Sequence, residues 1–360
     1  MAVVGCFFAA FGGAHAAQGN SLQEQIQAHA LAGDLQPVSE LLQNLDQAGL
    51  DEIDQIVLQQ YRQRFTGDFK VDNPPGDSAV RNNELAGQVI RIYQHYWHVA
   101  LTGALEPAAA DQQLRHALTR VFPNPVPETG SADELFRQLE QAINATGLHA
   151  SASFTPPWQD LYIWQAETTR IYQVELTDRR EQVEVTFIEQ PLLQGWQHYA
   201  SLDRLATTGW ASADGLFCLC WSYNLDSSAF LVSWLKHETR HSVDLREFPD
   251  MSEAQLEYRA KLTELAFSGP EVSSLLRQFA QTGSATGTSA HSLANYRVSH
   301  DIYREIFLQD LPAGTDPWQQ LNPYQVAVAA RTLLQKDTEL LQRSSTVGAG
   351  LPATHVIGRG

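Results

Sequence analysis

The feature that most constrains this chain is a pair of histidines four residues apart, His237 and His241, with Glu238 directly after the first. On an α-helix, four residues advance by about 400° and roughly 6 Å, so both imidazoles lie on one face. That separation suits two corners of a tetrahedral zinc site with Zn–N distances of about 2.0–2.1 Å. Glu238 is then placed to take a proton from a water molecule at the metal. The apolar run over 230–235, which lacks Gly and Pro, predicts that this helix is buried.

A third zinc ligand is predicted on the next helix. Pro249 ends the first helix, and Ser252 with Gln255 three residues later forms a capping-box pattern that starts the second. Helices joined by so short a turn pack as antiparallel neighbours. Counted from Pro249, His241 is eight residues back and Glu257 eight residues forward, so their side chains lie at similar heights. We therefore predict Glu257 as the third ligand; the alternative is a solvated helix carboxylate.

Two further carboxylates lie close to the predicted ligands in sequence. Glu264 follows Glu257 by seven residues on the same helix face and lies beyond the height of His237. Asp244 follows His241 by three residues, and its short side chain would have to reach down a full turn to complete a tetrahedron. We predict that both support the ligands from outside the metal's own coordination sphere.

A His-Glu-x-x-His motif with a glutamate on the following helix resembles the gluzincin branch of the zincin metallopeptidases. The resemblance covers about thirty residues securely, and it extends over 160–310 if the strands predicted there pack as a zincin sheet. It implies a zinc ion (Zn²⁺) held by two histidines and one glutamate, with Glu238 as the general base. The second histidine and the third ligand are closer in sequence here than in the best-known gluzincins, and no subfamily is assigned.

Zinc peptidases of this type also need a hydrogen-bond donor that stabilises the oxyanion opposite the metal. A helix predicted after the Gly/Ser/Thr-rich segment 281–289 offers His291 and Tyr296. His291 shares its predicted helix face with Val298 and Ile302, which indicates that it points inward. Both residues are candidates for the donor, and an ordinary core or surface position is the alternative for each.

The remaining patterns predict an α+β, mainly helical fold. Residues 171–176 and 182–187 alternate with period two and predict a hairpin, and residues 216–223 predict a strand just before the motif helix. In a zincin-like domain, one strand edge runs beside the metal and pairs with an extended peptide, and we predict 216–223 for that role. The predicted domains are a helical N-terminal region (18–150), a zincin-like domain with a small antiparallel or mixed sheet (158–343) and a disordered tail (344–360). The Ser/Pro-rich stretch 151–157 marks the predicted boundary.

Composition limits the partners and the compartment. The net charge is −17, from 24 basic and 41 acidic residues without a basic block, which argues against nucleic-acid binding. No apolar run reaches the roughly 18 residues of a membrane span. Residues 1–16 are mostly small or apolar and end in Ala14-His15-Ala16, a signal-peptide pattern that lacks the usual basic start. This predicts export to the periplasm or the medium, with a mature chain from Ala17 or Gln18; a lipidated Cys6 and a cytoplasmic location are the alternatives.

The predicted function is an exported zinc hydrolase, a metallopeptidase acting on a peptide or protein substrate. One alternative is a zinc hydrolase that cleaves another amide, such as a cell-wall crosslink. Another is a non-catalytic helical binding protein that keeps a structural or vestigial metal. A structural zinc uses four protein ligands, and only three are visible near the motif, which favours a catalytic site with an open position.

Overall fold

The computed structural model describes residues 4–6, 22–45, 50–66, 83–122, 131–212, 215–219, 223–287, 289–312 and 316–348. The chain is α+β and mainly helical, as predicted. It divides into two compact units. The first comprises Met1–Ile171 and Glu184–Ser222, and the second comprises Tyr172–Val183 and Tyr223–Gly360.

Helices build the N-terminal part of the first unit. Capping side chains set their starts: Asn83 accepts a hydrogen bond from the backbone N–H of Ala86, and Ser131 accepts one from Glu134. The apolar faces of these helices form one buried core. The helices are α1 (Leu22–Ala32), α2 (Gln36–Gln43), α3 (Glu52–Phe65), α4 (Glu84–Leu101), α5 (Pro107–Thr119) and α6 (Ala132–Asn144).

The strands of the described residues form one mixed sheet in the order β1-β5-β6-β4-β3-β2. The predicted hairpin is confirmed as β3 and β4, whose turn is closed by a hydrogen bond from Leu176 N to Arg179 O at 2.8 Å. Both strands are longer than predicted. The elements are β1 (Val4–Cys6), β2 (His149–Thr155), β3 (Trp158–Glu175), β4 (Arg180–Gln194), the short helix α7 (Gly195–Ala200), β5 (Gly209–Ala211) and β6 (Leu216–Leu219).

The strand predicted to pair with substrate is not at an edge of the sheet. It is observed as β6 (Leu216–Leu219), and residues 220–222 lie outside the described residues. β6 pairs in parallel with β4, with Leu216 opposite Val185, and antiparallel with β5, with Leu216 opposite Ala211. Because neighbouring strands cover both of its edges, β6 has no free edge for an added peptide, and the prediction was wrong.

The two units differ from the predicted division into 18–150 and 158–343. The Ser/Pro-rich stretch contains residues 151–155 of β2, a strand that pairs with β3 and is hydrogen-bonded to α6. The side chains of Asn144 and Glu140 accept hydrogen bonds from the backbone N–H groups of Ala150 and Ala152, at 3.1 and 2.8 Å. Apolar residues of the sheet share the buried core of the N-terminal helices. Most of the sheet therefore belongs to the first unit, and only the far end of the β3–β4 hairpin belongs to the second.

The second unit is a set of packed helices with its own core, to which Tyr258, Leu276 and Val298 contribute from three different helices. A π-helical turn (Ala229–Trp234) leads into the motif helix. The helices are α8 (Leu235–Glu247), α9 (Glu253–Phe267), α10 (Val272–Thr282), α11 (Ala290–Phe307) and α12 (Pro323–Gly348), with short 3₁₀ turns at Gly269–Glu271 and Pro317–Gln320.

The two ends of the chain concern the predictions of a disordered C-terminal tail and of an N-terminal leader. Helix α12 continues to Gly348, so the first five residues of the predicted disordered tail are helical, and 349–360 lie outside the described residues. Val4–Cys6 pairs with β5, while the rest of the predicted leader lies outside the described residues. Export therefore stays a prediction. Cys218 is buried, and Cys220 is not among the described residues.

One buried acid of the first unit makes stability depend on pH. Asp160 is 1% exposed, and its Oδ1 accepts hydrogen bonds from the backbone N–H groups of Trp196 and Leu161, at 2.9 and 3.0 Å. Burial outweighs these bonds and raises the pKa of Asp160 from 3.8 to about 6. The folded state thus binds a proton more tightly than the unfolded chain does. The stability contributed by this proton is complete below about pH 4 and is lost as the pH rises to about 6.

We expect Asp160→Asn to remove this pH dependence, because the amide keeps an acceptor oxygen without the charge. Between pH 4 and pH 7, wild-type protein should lose about 2 kcal/mol of unfolding free energy relative to the variant. Urea unfolding of both proteins at pH 4, 5, 6 and 7 measures the difference. Parallel stability profiles across this range would show that folding does not raise the pKa of Asp160.

Candidate metal centre

The predicted helical hairpin that carries the motif is present in the second unit. Helix α8 ends with a hydrogen bond from Phe248 N to Asp244 O at 2.7 Å, and the turn is closed by Met251 N to Phe248 O at 3.0 Å. The Ser252 hydroxyl then caps α9 by accepting from the backbone N–H of Gln255. The hairpin places the two motif histidines on α8 opposite the acidic face of α9.

Three ligand atoms converge inside this hairpin. His237 Nε2 lies 2.9 Å from His241 Nε2. The Glu257 carboxylate faces both rings, with Oε1 at 3.2 Å from His241 Nε2 and Oε2 at 3.6 Å from His237 Nε2. All three side chains are at most 1% exposed. In the described part of the chain, this is the one group of His, Cys, Asp or Glu residues that could hold a metal ion.

The spacing and the charge of the site fit a divalent cation. Ligands at about 2.0–2.1 Å from a tetrahedral zinc lie about 3.3–3.4 Å from one another, and the observed separations of 2.9, 3.2 and 3.6 Å lie on both sides of that value. Three carboxylates, Glu238, Glu257 and Glu264, are buried in this region together with the ammonium group of Lys261. Their formal charges, three negative and one positive, are neutralised by a cation of charge two.

Glu264 orients one ligand ring from behind. Its Oε1 lies 2.6 Å from His237 Nδ1, and the carboxylate is buried. This is the shortest carboxylate–imidazole distance in the group, but it involves the nitrogen on the side away from the other ligands. A proton on Nδ1 donated to Glu264 leaves the Nε2 lone pair free for a metal. Glu257 thus faces the Nε2 atoms of both rings, and Glu264 lies behind His237; a ligand role for the first and a supporting role for the second stay predictions.

The electrostatics favour the protonation states that metal ligands need. Burial, together with the neighbouring His237, lowers the pKa of His241, and the opposing effect of Glu257 does not offset it. Burial by itself raises the pKa of Glu257, but His291, Lys261 and His237 outweigh burial and hold that pKa well below its ordinary value. Near neutral pH, His241 is therefore a neutral imidazole and Glu257 an ionised carboxylate.

The hydrogen-bond donors to the Asp244 carboxylate are two arginines. Its carboxylate accepts hydrogen bonds from Arg259 Nε and Nη2, at 2.8 and 3.1 Å, and from Arg240 Nη1 at 3.3 Å. Three residues after His241, Asp244 is rotated by about 300° around α8 and faces Arg259 on α9. These bonds tie the two helices together. The Asp244 charge also acts to raise the pKa of His241, and its support of the ligands stays a prediction.

Of the two predicted oxyanion donors, the structure brings His291 to the site. Its Nδ1 lies 2.8 Å from Glu257 Oε2, and its side chain is 31% exposed. Tyr296 instead packs its ring on His300, with centroids 4.1 Å apart. Five residues after His291, it is turned by about 140° around α11, so the two side chains leave the helix on different sides. The described contacts of Tyr296 do not include the metal-site group.

Sequence reasoning missed Lys261. Its Nζ lies 3.4 Å from Glu257 Oε2 and 5.0 Å from the ring centroid of Phe279, and its side chain is 8% exposed. The spacing in the sequence could have revealed it, because a lysine four residues after a glutamate on a helix lies on the same face as that glutamate. Burial of the ammonium group, which makes the pair significant, depends on helix α10 packing over it.

Comparisons with protein-family models, with curated proteins and with solved structures find no match to this chain. Among the described residues, no helix is long and apolar enough to cross a membrane.

The distinct positions of Glu257 and Glu264 predict different losses of zinc affinity. We expect Glu257→Gln to weaken zinc binding by more than the about 10–100-fold that is typical of losing a supporting partner, because it replaces a charged ligand. Glu264→Gln, the matched control, should fall within that range, because it removes only the group that orients His237. Competition against a chromophoric zinc chelator measures both affinities. A larger loss of zinc affinity in Glu264→Gln than in Glu257→Gln would mean that Glu264 is the ligand and Glu257 the supporting residue.

Proposed function

We propose that this protein is a zinc-dependent hydrolase and that it acts as a metallopeptidase. The observation that carries the proposal is the buried group of His237, His241 and Glu257, whose ligand atoms lie within 4.8 Å of one another beside Glu238. Two histidines and one glutamate are a ligand set of catalytic zinc, and they leave a fourth position for water and substrate. The resemblance of the motif to the gluzincins supports the same reading.

In the proposed reaction, each residue has a separate task. A bound zinc ion would polarise the scissile carbonyl and lower the pKa of the attacking water. His237 and His241, through Nε2, and the Glu257 carboxylate would hold the ion, and Glu264 would keep His237 in the tautomer that this requires. The Glu238 carboxylate takes the proton of the attacking water and passes it to the leaving amine nitrogen. His291, next to Glu257 and partly exposed, is the candidate donor to the developing oxyanion.

The proposed substrate is a peptide or protein outside the cytoplasm, because residues 1–16 carry the leader pattern. Its entry side is proposed to lie near His291, the contact of Glu257 that combines a short distance with solvent exposure. Main-chain pairing with β6 is not part of the proposal, since that strand is paired on both edges.

Metal analysis coupled to a peptide-library digest tests the proposal. Purified full-length chain should contain one zinc ion per molecule and cleave peptides, lose cleavage on chelation and regain it with zinc. His241→Ala, which keeps the helix but lacks one ligand, should retain no zinc and serves as the inactive control. Absence of stoichiometric metal in the wild-type chain would refute the proposal.

Two further outcomes separate the alternatives. A zinc-bound chain that leaves peptides intact but cleaves amide crosslinks in cell-wall fragments would be an amidohydrolase. A zinc-bound chain that cleaves neither would be a binding protein with a vestigial site.

A further inference from the structure

The two oxygens of Glu257 are presented to the imidazoles in nearly the same way. Oε1 lies 3.2 Å from His241 Nε2, and Oε2 lies 3.6 Å from His237 Nε2. A cation between the rings could therefore bind one oxygen or both. Binding through both would add a ligand to the metal and fill a position that substrate or water needs.

Two neighbouring groups give the two oxygens of Glu257 different surroundings. His291 Nδ1 and Lys261 Nζ lie 2.8 and 3.4 Å from Glu257, and both contacts are to Oε2. Neither contact has hydrogen-bond geometry, so the two nitrogen groups compete with a metal for this oxygen through electrostatic attraction. Both groups are thus closer to Oε2 than His237 Nε2 is, at 3.6 Å.

The position of Lys261 is fixed by three helices. Lys261 lies one turn after Glu257 on α9, which is the favourable order for a glutamate–lysine pair. Phe279 on α10 covers the ammonium group, with 5.0 Å between Nζ and the ring centroid. His291 approaches the same oxygen from the first turn of α11. Since Lys261 is almost fully buried, water cannot easily replace it at Oε2.

We infer that Lys261 and His291 are positioning residues that hold Oε2 of Glu257, so that the carboxylate binds the metal through Oε1 alone. The consequence is a metal with one coordination position left open for the substrate. The inference rests on the metal centre proposed above. In this inference the buried Lys261 sets the coordination number of the metal and does not itself contact the substrate.

Cobalt substitution of full-length Lys261→Met tests the inference. Methionine keeps an unbranched apolar chain under Phe279 and removes the charge. Without the lysine, Oε2 of Glu257 should become an additional ligand of the metal. The visible absorption of bound Co²⁺ should then weaken from the intensity of four-coordinate cobalt to that of five-coordinate cobalt. Metal affinity should be retained or increased, because a cation near the ion is removed. Peptide turnover should fall by about 10–100-fold.

Lys236→Met is the matched control. Lys236 also lies over a phenylalanine ring, with Nζ 4.0 Å from the centroid of Phe267, and it donates to the backbone oxygen of Glu175 rather than to a ligand. Its variant should keep the wild-type cobalt spectrum. If Lys261→Met does not fold, His291→Ala releases the other contact of Oε2 at a partly exposed position and should weaken the absorption in the same direction.

An unchanged cobalt spectrum in fully loaded Lys261→Met would overturn the inference. Loss of metal from a normally folded Lys261→Met would also overturn it, since removing this contact should not expel the ion. A wild-type chain that binds neither cobalt nor zinc would instead refute the metal centre itself, so the two failures are distinguishable.

Discussion

A Glu238→Gln variant is expected to bind zinc as tightly as the wild-type chain and to lose at least about 100-fold in turnover. Glu238 is fully buried on α8 directly after the ligand His237, and the model of the reaction gives it the proton of the attacking water. Glutamine has nearly the same shape, so the buried packing is preserved, but its amide cannot accept that proton at neutral pH. Metal content and the turnover of a library-derived peptide measure the two effects separately.

Glu247→Gln is the control for this experiment. Glu247 lies on the same helix but at its exposed end, where it pairs with Arg179. This variant should keep both zinc and turnover near the wild-type values. Zinc loss in Glu238→Gln, or full activity in it, would mean that Glu238 is not the general base.

Arg259→Met is expected to destabilise the protein by about 3–5 kcal/mol. Arg259 is 1% exposed and holds two buried carboxylates, Asp244 through Nε and Nη2 and Asp337 through Nη1 at 3.0 Å. The substitution preserves much of the apolar volume but leaves two buried anions without their main partner. Because Asp244 lies on α8, Asp337 on α12 and Arg259 on α9, one side chain connects three helices of the second unit.

Arg297→Met provides the comparison, since Arg297 also contacts Asp337, at 3.2 Å, but its side chain is 44% exposed. That variant should lose less than about 1 kcal/mol. Urea unfolding should be measured with chelator present, because bound metal would stabilise the folded state of every variant. Adding Asp244→Asn to Arg259→Met should recover part of the loss by removing one stranded charge. A loss below about 1 kcal/mol in Arg259→Met alone would show that water reaches these carboxylates.

The elements around the candidate metal centre could be predicted from the amino-acid sequence, because short-range rules govern them. The four-residue spacing of His237 and His241 requires a shared helix face, and Pro249 with the Ser252 cap sets the length of the turn to α9. Because the turn length is known, counting equal numbers of residues to either side of Pro249 predicts that Glu257 lies opposite His241 and that Glu264 lies further along, near His237. The β3–β4 hairpin follows from an equally local alternation of side chains.

The way in which distant segments combine could not be predicted from local sequence patterns. Ser151 and its neighbours form a strand because β3 and α6 supply its hydrogen bonds, and β6 lies inside the sheet because β4 and β5 pair with both of its edges. The arginine partners of Asp244 and the burial of Lys261 under Phe279 depend in the same way on which helices pack together. Such contacts are selected by total burial and by satisfied hydrogen bonds across the whole fold, which no short window of sequence contains.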